Sequence, residues 1–479
     1  MVMKNFRRTF IVALSLMFIA LACERSVDGL EEPGFTENPE VFIDGFSSGL
    51  NYLPFADSDQ DAFSVDSDDT HDNSAASMRF DVPNVGDPEG GYAGAIFRDE
   101  NGGRNLTSYN ALTFYAKGTV AGTLNEIGFG QDFGENKYVV SLNNTKLSTN
   151  WEQYVVPIPD ASLLTAEQGL LWYAEGPEDG DGYSFWLDEV KFENLESLAQ
   201  PRPAIQNGNE VTQTSFIGSS ANVSGLTYTV NRVTEDGVAV DVTVSAEPAY
   251  YSFSSSNTDI ATVDDQGQVS VVGEGIAEIT ASLNDLNAEG ALIIESIGQF
   301  TPAPTPTESS ENVISIFSDT YENEPVDHFN GFWGGSTTTS NDFTVNGNNV
   351  LAYENLNFVG IEFHINVPTI DGSEMTHLNM DIFVPEEVPS NSPLTIALVD
   401  FGPDDSFGGG DDSEKSITLR PNTNPALVSG EWISVDLDIT DMTNRSNLAQ
   451  IVMSTTGNSP FLGASFYVDN IYLYDDSAE

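Results

Sequence analysis

The residues able to do chemistry fall into two unequal sets. The four histidines, His71, His328, His364 and His377, stand apart along the chain and make no His-Glu-x-x-His metal spacing. No Gly-x-Ser-x-Gly elbow presents a nucleophile. Acidic residues are abundant, but hydrolysing a glycosidic bond needs two carboxylates held about 5 to 10 Å apart across it. The second set is aromatic: Tyr92, Tyr115, Trp151 and Tyr173, and, in a glycine-rich loop, Phe329, Phe332 and Trp333. Such rings stack on the flat C–H faces of sugars and need no ionised group to do it. A binding protein therefore fits these residues better than an enzyme.

The scaffold that must position the rings is a repeat. Ser184-Phe185-Trp186-Leu187-Asp188-Glu189-Val190-Lys191-Phe192 returns as Ser465-Phe466-Tyr467-Val468-Asp469-Asn470-Ile471-Tyr472-Leu473. Each copy reads as one strand built around a single Asp, because β-branched and aromatic residues suit a half-buried pleated surface. Trp151 falls on Trp432, Ile158 on Ile439, Asp160 on Asp441, Gly176 on Gly457 and Gly182 on Gly463, all at one offset, 432 − 151 = 281. A constant offset with turn glycines in register marks two copies of one β-domain with something else between them. Long helical periodicity is absent, and short alternating runs bounded by Gly, Asn, Asp and Pro recur throughout. The fold class is all-β.

Strand candidates in the first copy are 41–43, 77–82, 93–97, 111–116, 126–129, 138–142, 152–158, 169–174 and 184–192, a spacing that fits a jelly-roll-like sandwich. Positions apolar in both copies must face the core. These are Ala93, Ala95 and Phe97 against Val359, Ile361 and Phe363; Leu112, Phe114 and Ala116 against Leu378, Met380 and Ile382; Tyr154, Val156 and Ile158 against Val435, Leu437 and Ile439. Tyr92, Tyr115, Trp151 and Tyr173 then point outward, opposite Phe358, Asp381, Trp432 and Ser454. We expect this outward set to be a glycan platform. The alternatives are that a neighbouring domain or loop covers the rings, or that they lie singly on the surface. In the second copy the aromatic loop Phe329-Asn330-Gly331-Phe332-Trp333-Gly334-Gly335 replaces the lost sheet aromatics, and Trp333 among glycines is placed to stack.

Composition narrows the partners. Against 74 acidic residues stand 16 basic ones, a formal charge of −58, which repels nucleic acid and anionic lipid and tolerates neutral ligands and cations. At 479 residues, and ~150 per domain, about three domains are expected. Lys4, Arg7 and Arg8 precede an apolar run, 10–22, that is too short for the roughly 20 residues a membrane span needs and has the layout of a secretory signal. It ends at Cys23, the only cysteine, so disulfides play no part in stability. Asp57-Ser58-Asp59-Gln60-Asp61 with Asp68 imitates a calcium loop, but Ala62 stands where glycine is needed and no helices flank it.

Several segments resemble known families. Ala20-Leu21-Ala22-Cys23 resembles the lipobox of bacterial lipoproteins, which implies a signal peptide at 1–22, a lipid on Cys23, a flexible tether at 23–40 and residence on the outer membrane at the cell surface. "FWLDEVKF" and "NWEQYVVPI" in 41–196 resemble β-sandwich carbohydrate-binding modules. That resemblance implies a structural Ca2+, with Asp44 and Asp188 as ligand candidates here and Asp319 and Asp469 as their counterparts in the second copy; a plain strand-end carboxylate is the other reading of Asp188. The run Phe253-Ser254-Ser255-Ser256-Asn257 through Gly267 to Ala281, within 205–298, resembles the bacterial group 2 immunoglobulin-like domain, with Phe253 where that family has Trp, and implies a spacer. A Pro/Thr linker follows at 299–311. The second sandwich, 312–479, resembles modules of secreted β-glucanases and surface glycan-binding lipoproteins of polysaccharide-utilisation systems. Together these imply a non-catalytic lipoprotein that captures a neutral polysaccharide, laminarin (a β-1,3-glucan), beside an outer-membrane glycan transporter complex. A structural adhesin and a cryptic glycosidase are the alternatives.

Overall fold

A computed structural model of the protein describes residues 35–234 and 236–478; the signal-like run, Cys23 and the start of the tether lie outside the described residues. These residues form strands, turns and a few short 3-10 segments, with no α-helix among them. They fall into two compact units, one of residues up to 202 together with 227–250, the other of 203–226 together with 251 onward.

In the first unit two sheets pack face to face. The back sheet runs in the order Glu152–Pro157, Ala111–Gly118, Tyr183–Glu193, Glu40–Ile43, and Tyr183–Glu193 also pairs with Ser77–Val82. The front sheet runs Leu50–Pro54, Ala93–Asp99, Gly169–Glu175, Gly122–Phe129, Val140–Leu147 and continues into three further strands. The expected core positions Ala93, Ala95, Phe97, Leu112, Phe114 and Ala116 are all sealed at 0 to 1% exposure. Period-two alternation sends them between the sheets, where Phe80 stacks on Phe185 at 4.8 Å and meets Phe97 edge-on.

The repeated stretch proves to be the strand on which each back sheet is centred. Asp188 pairs with Tyr115, and the register breaks between Asp188 and Lys191. In the second copy Asp469 pairs with Asp381 beside the same kind of break. The residues that follow, Glu189 and Asn470, take φ of +50° and +51°, so both copies carry a bulge at one place.

The strands that lengthen the first unit's front sheet come from far along the chain. Thr227–Val233 and Ala239–Ala246 form a hairpin that joins Val140–Leu147 through Ser245↔Ser141 and Ala246↔Val140. Val240, Val242 and Val244 alternate with Asp241, Thr243 and Ser245, so the hairpin has one apolar and one polar face and can extend a sheet with a solvated side. This part of the segment read as a spacer, 205–298, thus folds with the first sandwich.

In the second unit the rest of that segment forms two small sheets, one holding Glu210–Ile217 parallel to Ala291–Gln299. The C-terminal sandwich has a back sheet centred on Phe466–Tyr474 and a four-stranded front sheet ordered Phe358–Glu362, Leu448–Ser454, Leu394–Asp400, Ser413–Leu419. That order matches Ala93–Asp99, Gly169–Glu175, Gly122–Phe129, Val140–Leu147 strand for strand. The duplication therefore holds at the level of topology.

Candidate functional site

The outer face of each front sheet carries the same local device. Within Ala93–Asp99, Ala95 and Phe97 face the core, so Gly94 faces out. A Cβ there would lie 2.5 Å from the Tyr92 ring and 2.9 Å from that of Phe55. Glycine leaves the bare backbone as a floor for both rings. Tyr92 is half-buried, its hydroxyl donating to the Ala56 carbonyl at 3.1 Å, and Phe55 meets the exposed Phe133 edge-on at 5.6 Å. On the next strand Trp172 lies opposite Ile96 and Gly128, on the same face; it is 4% exposed and its Nε1–H has no partner among the described residues.

The second sandwich repeats this with a different ring. In Phe358–Glu362, Val359 and Ile361 are core and Gly360 faces out. A Cβ on Gly360 would stand 2.3 Å from Cζ2 and Cη2 of Trp333, so the indole lies across this glycine. Phe358 flanks it, ring centroids 6.4 Å apart at 33°. The loop that delivers Trp333 is tied down. Gly331 N donates to Gly360 O at 2.9 Å, Ser336 Oγ to Phe358 O at 2.8 Å, and Asn330 Nδ2 to Thr338 O and Ser340 Oγ, each at 3.2 Å. Beside the indole, Glu362 is 6% exposed, with Gln450 Nε2 and His364 Nε2 each 3.4 Å from its Oε1. The result is a half-buried ring with a carboxylate, an amide and an imidazole alongside, a set that can stack on a sugar and bond its hydroxyls.

The expected platform residues do not share one face. Tyr92 lies on the front sheet. Tyr115 and Trp151 lie on the outer side of the back sheet, under the loop 66–76: the His71 ring stacks on Tyr115 at 3.7 Å and meets Trp151 edge-on, and Lys117 Nζ sits 5.5 Å from the Trp151 ring. Tyr173 is core, 0% exposed, packed on Phe80 with its hydroxyl 3.3 Å from that of Tyr52. The offset of 281 explains the error. It holds where Tyr154 pairs with Phe114 and Val435 with Met380, but Ala174 pairs with Gly94 and Val452 with Gly360, an offset of 452 − 174 = 278. A slip of three residues is odd, and an odd slip exchanges the two faces of a strand. In the glycine-rich loop, Phe332 is 71% exposed, whereas Phe329 packs against the core with Phe317 at 5.4 Å. Phe55, Phe133 and Trp172 were missed. The signal that finds the face is Gly94 matching Gly360 in the repeat.

The aspartates proposed as Ca2+ ligands come together in both copies, but around hydrogen-bond donors. Ser74 Oγ donates to Asp44 at 2.9 Å and to Asp188 at 3.2 Å; Asp188 also accepts from His71 N and Glu189 N, and Asp44 from Ala75 N, which holds the Asp44 carboxyl below the usual range. Asn348 Nδ2 lies between Asp319 and Asp469 at 3.1 and 3.3 Å, and burial pushes Asp469 up to about 6. Asn348 Oδ1 is buried there without a partner among the described residues. Carboxylate, hydroxyl and amide oxygens are the ligand types calcium takes, so Asp44 and Asp188 with Ser74, and Asp319 and Asp469 with Asn348, are the residues that would hold such an ion.

Residues 36–194 match the family model described as carbohydrate binding domain 30, and 242–285 that of the intimin immunoglobulin-like domain. The chain thus holds a carbohydrate-binding-module-like domain and an immunoglobulin-like one. No curated protein matches it. Among solved structures, a family 30 carbohydrate-binding module is 17% identical, covering 35% of this chain and 89% of its own, with a TM-score of 0.26. A family 11 module from Clostridium thermocellum, solved with a β-1,3-1,4-mixed-linked tetrasaccharide, is 15% identical over 30% and 85%, TM-score 0.21. A tandem of two family 22 modules from Paenibacillus barcinonensis Xyn10C is 10% identical over 94% and 99%, TM-score 0.24.

Proposed function

We propose that this chain is a non-catalytic, lipid-anchored surface protein that captures a neutral β-glucan through the front-sheet faces of its two sandwiches. The observation that carries the reading is the shared device, an aromatic ring seated on the outward glycine of the equivalent strand, Tyr92 on Gly94 and Trp333 on Gly360. The ring comes from the strand's own start in one sandwich and from a loop in the other, yet both lie on the same outward glycine. The match of the first sandwich to a carbohydrate-binding family supports it. So does the charge: −58 disfavours anionic polymers and leaves uncharged ones unhindered. Two modest sites on one chain raise avidity for a long polymer without either being tight.

Affinity electrophoresis against laminarin, other neutral polysaccharides and anionic alginate tests the reading. Retardation by a neutral glucan is expected. Passage through every gel without retardation would remove the function, and release of reducing ends would remove its non-catalytic character. Replacing Cys23 by serine should abolish incorporation of labelled palmitate and shift the protein from membrane to soluble fractions.

A further inference from the structure

The front sheet of the first sandwich does not end at Val140–Leu147, and the way the hairpin joins it leaves an opening. Rows of paired residues fix which side chains share the outer face: Ile96, Trp172, Gly128 and Ser141 lie in line, and Ser141 pairs with Ser245 of the hairpin. Asn143 bridges the junction, its Nδ2 donating to Ser245 Oγ at 2.7 Å. By alternation Thr243 and Asp241 follow on that face. Across the hairpin Thr229 and Thr243 bond hydroxyl to hydroxyl at 2.8 Å, and Asn231 bonds Asp241 at 3.0 Å. The outer surface of the hairpin's strands is therefore rich in hydroxyl and amide, and Asp241 on it is held by Arg202 at 2.6 Å.

Beyond Ser245 the two strands part, because only two residue pairs join them. The gap is a slot of about 240 Å³. Thr145, Gln153, Arg232 and Thr243 line it with polar groups, Arg232 Nη2 donating to Gln153 O at 3.2 Å, and Tyr154 and Val242 form apolar wall. Concave shape with apolar walls and a few convergent polar groups is what small-ligand sites share, and the volume falls below the ~300 Å³ at which drug-sized sites begin. It suits a single sugar unit. At about 4.8 Å per strand, the slot lies roughly 15 to 20 Å across the sheet from Gly94.

We propose that this slot is an additional sugar subsite, reached only by the far end of a glucan whose other end lies on the Tyr92 face. The inference rests on the glycan-binding reading and adds to it a dependence on chain length. The chain spans the strands, the rings of Tyr92 and Phe55 stack near one end, and Thr145 and Thr243 bond sugar hydroxyls at the other.

The experiment uses the full chain carrying Trp333→Ala, which silences the second sandwich, and calorimetric titration with a length-graded ladder of laminarin oligosaccharides. Long oligosaccharides should bind more tightly than short ones. Thr145→Val with Thr243→Val should weaken the long ones about five- to tenfold, the worth of one or two neutral hydrogen bonds, and leave the short ones unchanged. Thr243→Trp, which fills the slot, should do the same, and equal melting temperatures would show that each variant folds. If Tyr92→Ala weakens all lengths while the slot variants weaken none, the glycan reading stands and the subsite falls. If the Trp333→Ala chain binds no oligosaccharide, both fall for this sandwich.

Discussion

Replacing Gly360 by alanine separates a platform role for Trp333 from a structural one. The new Cβ would stand 2.3 Å from Cζ2 and Cη2 of the indole, against the 3.4 Å at which ordinary contact begins, so the ring must withdraw by at least 3.4 − 2.3 = 1.1 Å. The loop cannot retreat as a body, since Gly331, Ser336 and Asn330 anchor it. The indole must swing off its seat. Gly360 has no positive φ, and alanine in a strand gains about 0.5 to 1 kcal/mol over glycine, so the melting temperature should hold or rise slightly. Binding should fall, because losing a well-placed aromatic anchor costs roughly 2 kcal/mol, about thirtyfold in affinity. The assay is retardation in laminarin gels in a Tyr92→Ala background, with Trp333→Ala as the reference for full loss and intrinsic tryptophan fluorescence reporting the displaced ring. A Gly360→Ala chain with displaced indole and undiminished retardation would refute the argument.

Three further outcomes follow from the packing. Tyr173→Ala should destabilise the first sandwich by about 3 to 5 kcal/mol, as large-to-small core changes do, while Tyr173→Phe keeps full glycan binding; calorimetric melting and gel retardation check the pair. Burial pushes Glu175, 1% exposed, and Glu167 up to about 7 each. Folded values above the ordinary 4.5 mean that the folded state holds protons the unfolded chain has released, so stability should fall as pH rises from about 4.5 through about 7, by roughly 3 kcal/mol per group. Urea midpoints across that window should drop, and Glu175→Gln should flatten the drop. Treatment with EDTA tests the aspartate pairs as cation ligands: a fall in melting temperature that calcium restores is expected, and an unchanged melting temperature with and without calcium would remove the ion.

The sequence carried the all-β class, the duplication and most core positions, because a core face must stay apolar in both copies and the strand period is two. Leu112, Phe114 and Ala116 could be placed this way without a structure. Tyr173 could not. Loops of different length on either side of its strand shift the copies by three residues and then restore the register, so the flanking strands still agree at 281 and nothing local reveals the slip. Tyr115 and Trp151 were rightly turned away from the core, but whether a surface ring is open depends on which loop crosses it, and only the fold brings His71 over Tyr115. The hairpin at 227–246 alternates Val240, Val242 and Val244 with Asp241, Thr243 and Ser245, a strand pattern that by itself names no partner. That it pairs with residue 141 is a long-range fact no local pattern encodes.

That hairpin also decides where the molecule can be cut. A fragment ending near residue 195, the boundary suggested both by the repeat and by the matched family, would strip Val140–Leu147 of its neighbour and expose Val140, Leu142 and the Tyr154 wall along a raw sheet margin. Unprotected margins recruit other chains. The excised module should therefore be prone to self-association, and extending it to residue 250 restores that neighbour only together with 203–226, whose strand Glu210–Ile217 would then lack its own partner Ala291–Gln299.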